Sequence, residues 1–160
     1  MKDVPVEKIA YVDESGINSY FDRDYGYAPR GEKVFGEISG RKFQRTSIAA
    51  AKLGSGIVAP LQYDTTMNAQ LFEAWFEQQL LPALPDDAVI VMDNASFHRK
   101  SKLYEIAEAN HVRVVFLPPY SPDLNPIEKV WAVMKRWLRK NMRNFSDFDQ
   151  AVHAAIDYIS

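Results

Sequence analysis

The chain contains no cysteine, which removes disulfides, thiolate nucleophiles and cysteine-based zinc sites from consideration. It has no apolar run near the ~20 residues that a membrane-spanning helix requires. Its first residues, Met1-Lys2-Asp3-Val4-Pro5-Val6-Glu7-Lys8, lack the apolar stretch of a signal peptide. No membrane partner is expected, and a cytoplasmic location is the simplest reading. A large net charge is missing as well. The 19 basic and 21 acidic residues leave −2, which argues against a uniformly basic nucleic-acid-binding surface. What is present is 160 residues, 47% hydrophobic and 25% charged, enough for one proper core and too apolar for disorder. The expectation is a single domain over residues 1–160.

The charge is unevenly placed. Residues 129–143 hold Lys129, Lys135, Arg136, Arg139, Lys140 and Arg143 with no acidic residue, leaving −8 for the rest of the chain. A solvated helix face explains such a run as readily as a binding surface does. Its neighbours have to decide.

Periodicity divides the chain into two halves. Residues 8–12 are a short apolar run followed by the turn signal Asp13-Glu14-Ser15-Gly16, and 17–21 alternate as a pairing strand would. Residues 23–37 are rich in Gly and Pro and read as loop, with strand pieces around Tyr25 and Val34. Residues 46–52 and 56–62 form a hairpin through Leu53-Gly54-Ser55-Gly56. The period then becomes helical over 68–81. Residues 88–92 and 112–117 read as buried strands separated by a helix over 102–109. Residues 126–140 form an amphipathic helix with Ile127, Val130, Trp131, Met134 and Leu138 on one side. A last helix opens with Ser146 as N-cap and reaches Tyr158. This order predicts an α/β fold: a mixed sheet, antiparallel in its first three strands and parallel later, with helices on both faces.

Three acids stand out by position. Asp13 follows the first strand, Asp93 follows the strand over 88–92, and Glu128 lies in the first turn of the amphipathic helix. With strands one and four adjacent, Asp13 and Asp93 emerge side by side. Carboxylates are hard oxygen ligands suited to Mg²⁺ or Mn²⁺. Two such ions about 3.5–4 Å apart can activate a nucleophile and stabilise the leaving oxygen of a phosphodiester. Each acid also has a structural explanation: Asp13 as a turn former, Asp93-Asn94 as the close of a strand, and Glu128 as the N3 residue of a capping box begun by Asn125.

The words around these acids favour the shared site. Tyr11-Val12-Asp13-Glu14-Ser15, Val91-Met92-Asp93-Asn94-Ala95-Ser96-Phe97-His98 and Leu117-Pro118-Pro119-Tyr120-Ser121-Pro122-Asp123-Leu124-Asn125-Pro126-Ile127-Glu128-Lys129-Val130-Trp131 occur in that order. Between Asp93 and Glu128 lie 34 residues. From about Ile9 to Asn141 the chain resembles the catalytic domain of DDE transposases of the insertion-sequence 630 family, relatives of the mariner superfamily.

That resemblance implies an RNase H-like fold and a catalytic, metal-holding triad of Asp13, Asp93 and Glu128 with two divalent ions, Mg²⁺ or Mn²⁺. It implies DNA partners, first transposon ends and then target DNA, attacked in line by water and by the freed 3′-hydroxyl. Asn94 and His98 are candidate supporting residues, the first for orienting Asp93 or closing an Asx turn, the second for approaching the phosphate or capping a helix. Tyr120 and its prolines are expected to shape the approach to Glu128, and Trp131 to pack in the core. Lys129, Lys135, Arg136, Arg139 and Lys140, with Arg30 and Lys33, are candidates for DNA phosphate contact. A homodimer, action at the nucleoid and a separate DNA-recognition polypeptide are expected partners of that chemistry. The first strand begins within about eight residues of Met1, so no N-terminal helix-turn-helix module is expected in this chain. The alternatives are an RNase H-like nuclease or resolvase, in which the long Pro-Pro-Tyr-Ser-Pro segment is not expected, and a non-catalytic remnant that binds DNA or a partner transposase.

Overall fold

A computed structural model of the protein describes residues 4–18, 45–95, 98–118 and 124–160. The expected loop and strand pieces around Tyr25 and Val34, with Arg30, Lys33 and Tyr120, lie outside the described residues. Five strands form one sheet: β1 (Ile9–Asn18), β2 (Arg45–Leu53), β3 (Gly56–Tyr63), β4 (Val89–Met92) and β5 (Arg113–Phe116). Their order is β3-β2-β1-β4-β5. The β1–β2 and β2–β3 pairs are antiparallel, while β1–β4 and β4–β5 are parallel. This is the expected mixed α/β sheet.

β1 is longer than the sequence suggests. Asp13-Glu14-Ser15-Gly16 is not a turn but the middle of the strand, paired in register with Ala50, Ala49, Ile48 and Ser47 of β2. Its polar residues favour a turn in isolation. The β2 ladder and the burial of Ser15 and Ile17 override that preference. The expected hairpin between β2 and β3 is present, with Gly54 at φ 65°, a left-handed conformation that glycine adopts without strain.

Two helical layers cover the sheet. On one face lies α1 (Ala69–Trp75, continued by a π-helical turn over Phe76–Leu80), with α2 (Lys100–Ala109). Asn68 caps α1 by accepting from the Leu71 N–H at 2.8 Å. Phe72, Trp75, Phe76 and Leu80 are buried against Ala10, Val12, Ala49 and Ala51. Each such large apolar side chain contributes roughly 1.5–3 kcal/mol by leaving water. On the other face lie α3 (Ile127–Asn141) and α4 (Phe148–Ile159), whose Ile127, Trp131, Met134 and Leu138 meet Ile17, Ile48 and Ala50. The alternation of β1 sends even residues to the first layer and odd residues to the second.

Two expectations need correction here. β5 is an edge strand, so it is not buried on both faces: Val114 is inside and Val115 is exposed. The N-cap of α4 is Asp147, not Ser146, with its carboxylate accepting from the Asp149 N–H at 3.1 Å. No helix among the described residues is long and apolar enough to cross a membrane.

A candidate acidic catalytic site at the carboxyl end of strand four

The sheet itself creates the opening. β1 pairs with β4 only through Tyr11↔Val91, then continues to Asn18 along β2. β4 ends at Met92, and the chain turns away at Asp93. β1 and β4 therefore part beyond that point, which leaves a crevice between the continuing β1 and the residues that follow β4.

Asp13 sits in this crevice on the side covered by α3. The indole N–H of Trp131 donates to its carboxylate at 3.2 Å. Burial, then a hydrogen bond and the charge of Glu128, then the charge of Glu14, push the Asp13 carboxyl up to about 8. Glu128 therefore reaches the site through Asp13. Asn125 sets that approach: its side-chain amide donates to the Val12 carbonyl at 3.1 Å, and its own oxygen accepts from the Ile127 N–H at 3.4 Å. The expected N-cap residue is thus largely committed to β1. The helix starts after Pro126, which makes no side-chain cap, and Glu128 is left exposed in its first turn.

Asp93 enters from β4. His98 bonds its backbone carbonyl through Nδ1 at 3.0 Å, and because a carbonyl only accepts, Nδ1 carries the proton. The imidazole lies 4.4 Å from the Phe72 ring and is held below its ordinary pKa, chiefly by burial. Its side chain is 1% exposed against 49% for Asp93, so the acid faces solvent and the histidine stands behind it. Arg99, next in sequence, donates Nε to the buried Glu73 of α1 at 2.7 Å and completes a two-pronged ion pair through Nη2. That hydrogen bond holds the Glu73 carboxyl below its usual range. The segment after Asp93 is thereby fastened to the first helical layer.

A further acid was not singled out by the sequence. Asp13, Glu14 and Asp93 each place a carboxylate oxygen within 4.8 Å of the others. Glu14 is pushed up to about 8 by burial and by the charge of Asp93. The Tyr63 hydroxyl is raised to about 12 by burial and by the charge of Glu14, partly offset by a hydrogen bond with Ser47. Ionised together, these carboxyls would be crowded anions with no basic partner among the described residues. Hard oxygen donors so gathered suit a hard divalent cation.

Of the remaining candidates, Asn94 is exposed beside Asp93. Lys129, Arg136 and Lys140 are exposed on α3, and Lys135 and Arg139 are half-buried.

With this geometry in place, comparison with known proteins is decisive for the family. The family model described as DDE superfamily endonuclease matches residues 8–151. The chain belongs to that family. This DDE endonuclease is 32% identical over 123 residues to an uncharacterized protein, y4pE/y4sA, of Sinorhizobium fredii, covering 74% of this chain and 76% of the relative. Its fold matches the Mos1 transposase of a paired-end complex with TM-score 0.65 at 18% identity, over 99% of this chain and 49% of that one. The catalytic domain of Mos1 mariner transposase matches with TM-score 0.64 at 15% identity, over 99% of this chain and 72% of the other. The catalytic core of HTLV-2 integrase, in complex with magnesium, matches with TM-score 0.56 at 13% identity, over 96% and 85%. The DDE endonuclease therefore has the RNase H-like catalytic-core fold, and it spans about half the length of the Mos1 chain in the paired-end complex.

Proposed function

We propose that this DDE endonuclease is the catalytic domain of a transposase of the insertion-sequence 630 group, cutting DNA at transposon ends and joining the freed ends to target DNA. The observation that supports the reading is the close approach of the Asp13 and Asp93 carboxylates, with Glu128 joined to Asp13 by a side-chain hydrogen bond. Its structural relatives include a Mos1 strand transfer complex and Mos1 catalytic domains with Mg and with Mn, which favours DNA as partner and a divalent ion as cofactor.

In this reading Asp13, close to Asp93 and hydrogen-bonded with Glu128, would hold both of two cations. Such a pair, when bound, polarises the attacking oxygen and neutralises the leaving one. Trp131 fixes the Asp13 carboxylate, Asn125 brings Glu128 to it, and the neutral His98 holds the backbone of Asp93. Asn94, exposed next to Asp93, is placed to meet the bound strand. No covalent nucleophile from the chain is required. Water attacks a phosphodiester, a P–O bond forms as another breaks, and a 3′-hydroxyl is released. That hydroxyl then attacks a target phosphodiester in the same geometry.

Lys129, Lys135, Arg136, Arg139 and Lys140 follow Glu128 on α3 and are read as phosphate contacts, joined by Arg30 and Lys33. A separate DNA-recognition polypeptide is read as the partner that recognises the ends. Pairing of two ends makes a homodimer the working form, acting at the nucleoid in the cytoplasm.

Incubation with a pre-cleaved terminal-repeat duplex, plasmid target and Mn²⁺ tests this function. Joined products support it. Hydrolysis confined to RNA–DNA hybrids would instead make the protein a ribonuclease of the same fold. Binding without turnover in Mn²⁺ would make it a remnant.

A further inference from the structure

Glu14 has no place in the three-acid scheme, yet its surroundings are unusual. Period-2 alternation sends it to the α1 face while Asp13 faces α3. Past Tyr11, however, β1 has no β4 partner, so a side chain from either face can reach the space ahead of Asp93. One Glu14 oxygen lies within 4.8 Å of oxygens from both Asp13 and Asp93. Its Oε2 is shielded from solvent and has no hydrogen-bond partner among the described residues.

No basic side chain among the described residues is paired with it. Arg99 is paired instead with Glu73, and Lys102 with Glu105. A shielded carboxylate without a cationic partner carries a heavy desolvation cost. Neighbouring carboxylates increase that cost, and a shared divalent ion removes it.

We propose that Glu14 is a fourth carboxylate of the cation pocket, holding the ion shared by Asp13 and Asp93 from the opposite face of the sheet. This rests on the two-cation reading of the site and deepens it. Glu14 approaches Asp13 and Asp93, and Glu128 does not join that cluster, so the two cation positions of the proposal differ in ligand charge. The position flanked by Asp13, Glu14 and Asp93 fills first as the cation concentration rises.

The test is a Mn²⁺ titration of the whole 160-residue chain, followed by the loss of the free-ion electron paramagnetic resonance signal, with no DNA present. Four proteins are compared: wild type, Glu14→Gln, Glu14→Asp and Asp93→Asn. Glu14→Gln keeps the shape and removes the charge, so the tighter Mn²⁺ event weakens by about tenfold or more, within the range typical of groups that tune a metal site. Glu14→Asp keeps the charge but withdraws it by one C–C bond, about 1.5 Å. It weakens the same event too, and it provides the reading if the glutamine variant does not fold. Unchanged or tighter binding by Glu14→Gln, with Asp93→Asn weakened, overturns the assignment of Glu14 and leaves the two-cation reading standing. Wild-type binding by Glu14→Asp also overturns it, since a charge acting at a distance tolerates the shorter arm. Unchanged binding in Asp93→Asn as well overturns both.

Discussion

At the residue scale, the site depends on side chains whose partners are far away in sequence. Trp131 shows this most clearly. It is 3% exposed, as a core tryptophan should be, yet its single polar atom is aimed at Asp13. Trp131→Phe keeps an aromatic ring and deletes the donor. A hydrogen bond to a charged group contributes about 1.5–3 kcal/mol, so strand cleavage should fall by roughly tenfold or more. The melting temperature in chelator should move little, because the carboxyl is crowded by other acids in that state. Equal loss of stability and activity would make Trp131 a packing residue only. Helical spacing puts this residue on the buried face of its helix but carries no sign of the bond. Periodicity locates a face, not the atom opposite it.

At the scale of elements, α3 does two jobs. It supplies Glu128, and its mount on β1 fixes where Glu128 stands. The mount is Asn125, 4% exposed and bonded to the Val12 carbonyl one residue before Asp13. Asn125→Ala leaves that carbonyl unsatisfied, at a cost of about 1–3 kcal/mol. The loss of catalytic rate at saturating Mg²⁺ should exceed what this destabilisation explains, since Glu128 loses its register against Asp13. Kinetics alongside thermal melts separate the two effects, and a rate reduced only in proportion to unfolded protein would contradict the role. Helices α1 to α4 and strands β2 to β5 were legible from period and turn chemistry, because each buries at least one apolar face. The length of β1 was not. Asp13-Glu14-Ser15-Gly16 has the composition of a turn, and only the β2 ladder holds it extended. That misreading hid Glu14, since a turn offers no reason to ask which face each acid takes.

For the whole molecule, the acids and the basic helix make separate predictions. Asp13 and Glu14 rise from 3.8 and 4.5 to about 8 on folding. Between about pH 4 and 8 these two carboxyls therefore bind more protons in the folded protein than in the unfolded chain, and their contribution makes stability fall as pH rises through that window. In chelator, the melting temperature should decline from pH 5 to 8, and Glu14→Gln should flatten the decline. Saturating Mg²⁺ should flatten or reverse it by binding the ionised acids. A metal-free melting temperature that rises across this range would contradict the crowding of these carboxyls.

DNA binding belongs to the same scale. Lys129, Arg136 and Lys140 are exposed on α3 while the remainder of the chain is net acidic. Replacing all three by Gln should reduce the slope of log affinity against log salt by up to about 0.9 for each duplex phosphate no longer neutralised. An unchanged slope would return these residues to the role of a solvated face. The fold and the basic residues of α3 could be read from residue pattern and family resemblance. The fourth acid and the supports behind Asp13 and Asp93 could not, because they are tertiary contacts between side chains that also suit a core or a turn.

In the proposed chemistry, Asp13, Asp93 and Glu128 hold cations together. Anomalous diffraction at the manganese edge from crystals soaked in MnCl₂ reads this out. Two peaks about 3.5–4 Å apart are expected, both in contact with Asp13, one also with Asp93 and the other with Glu128. Peaks that leave Asp13 untouched, or no peak in this crevice, would contradict it.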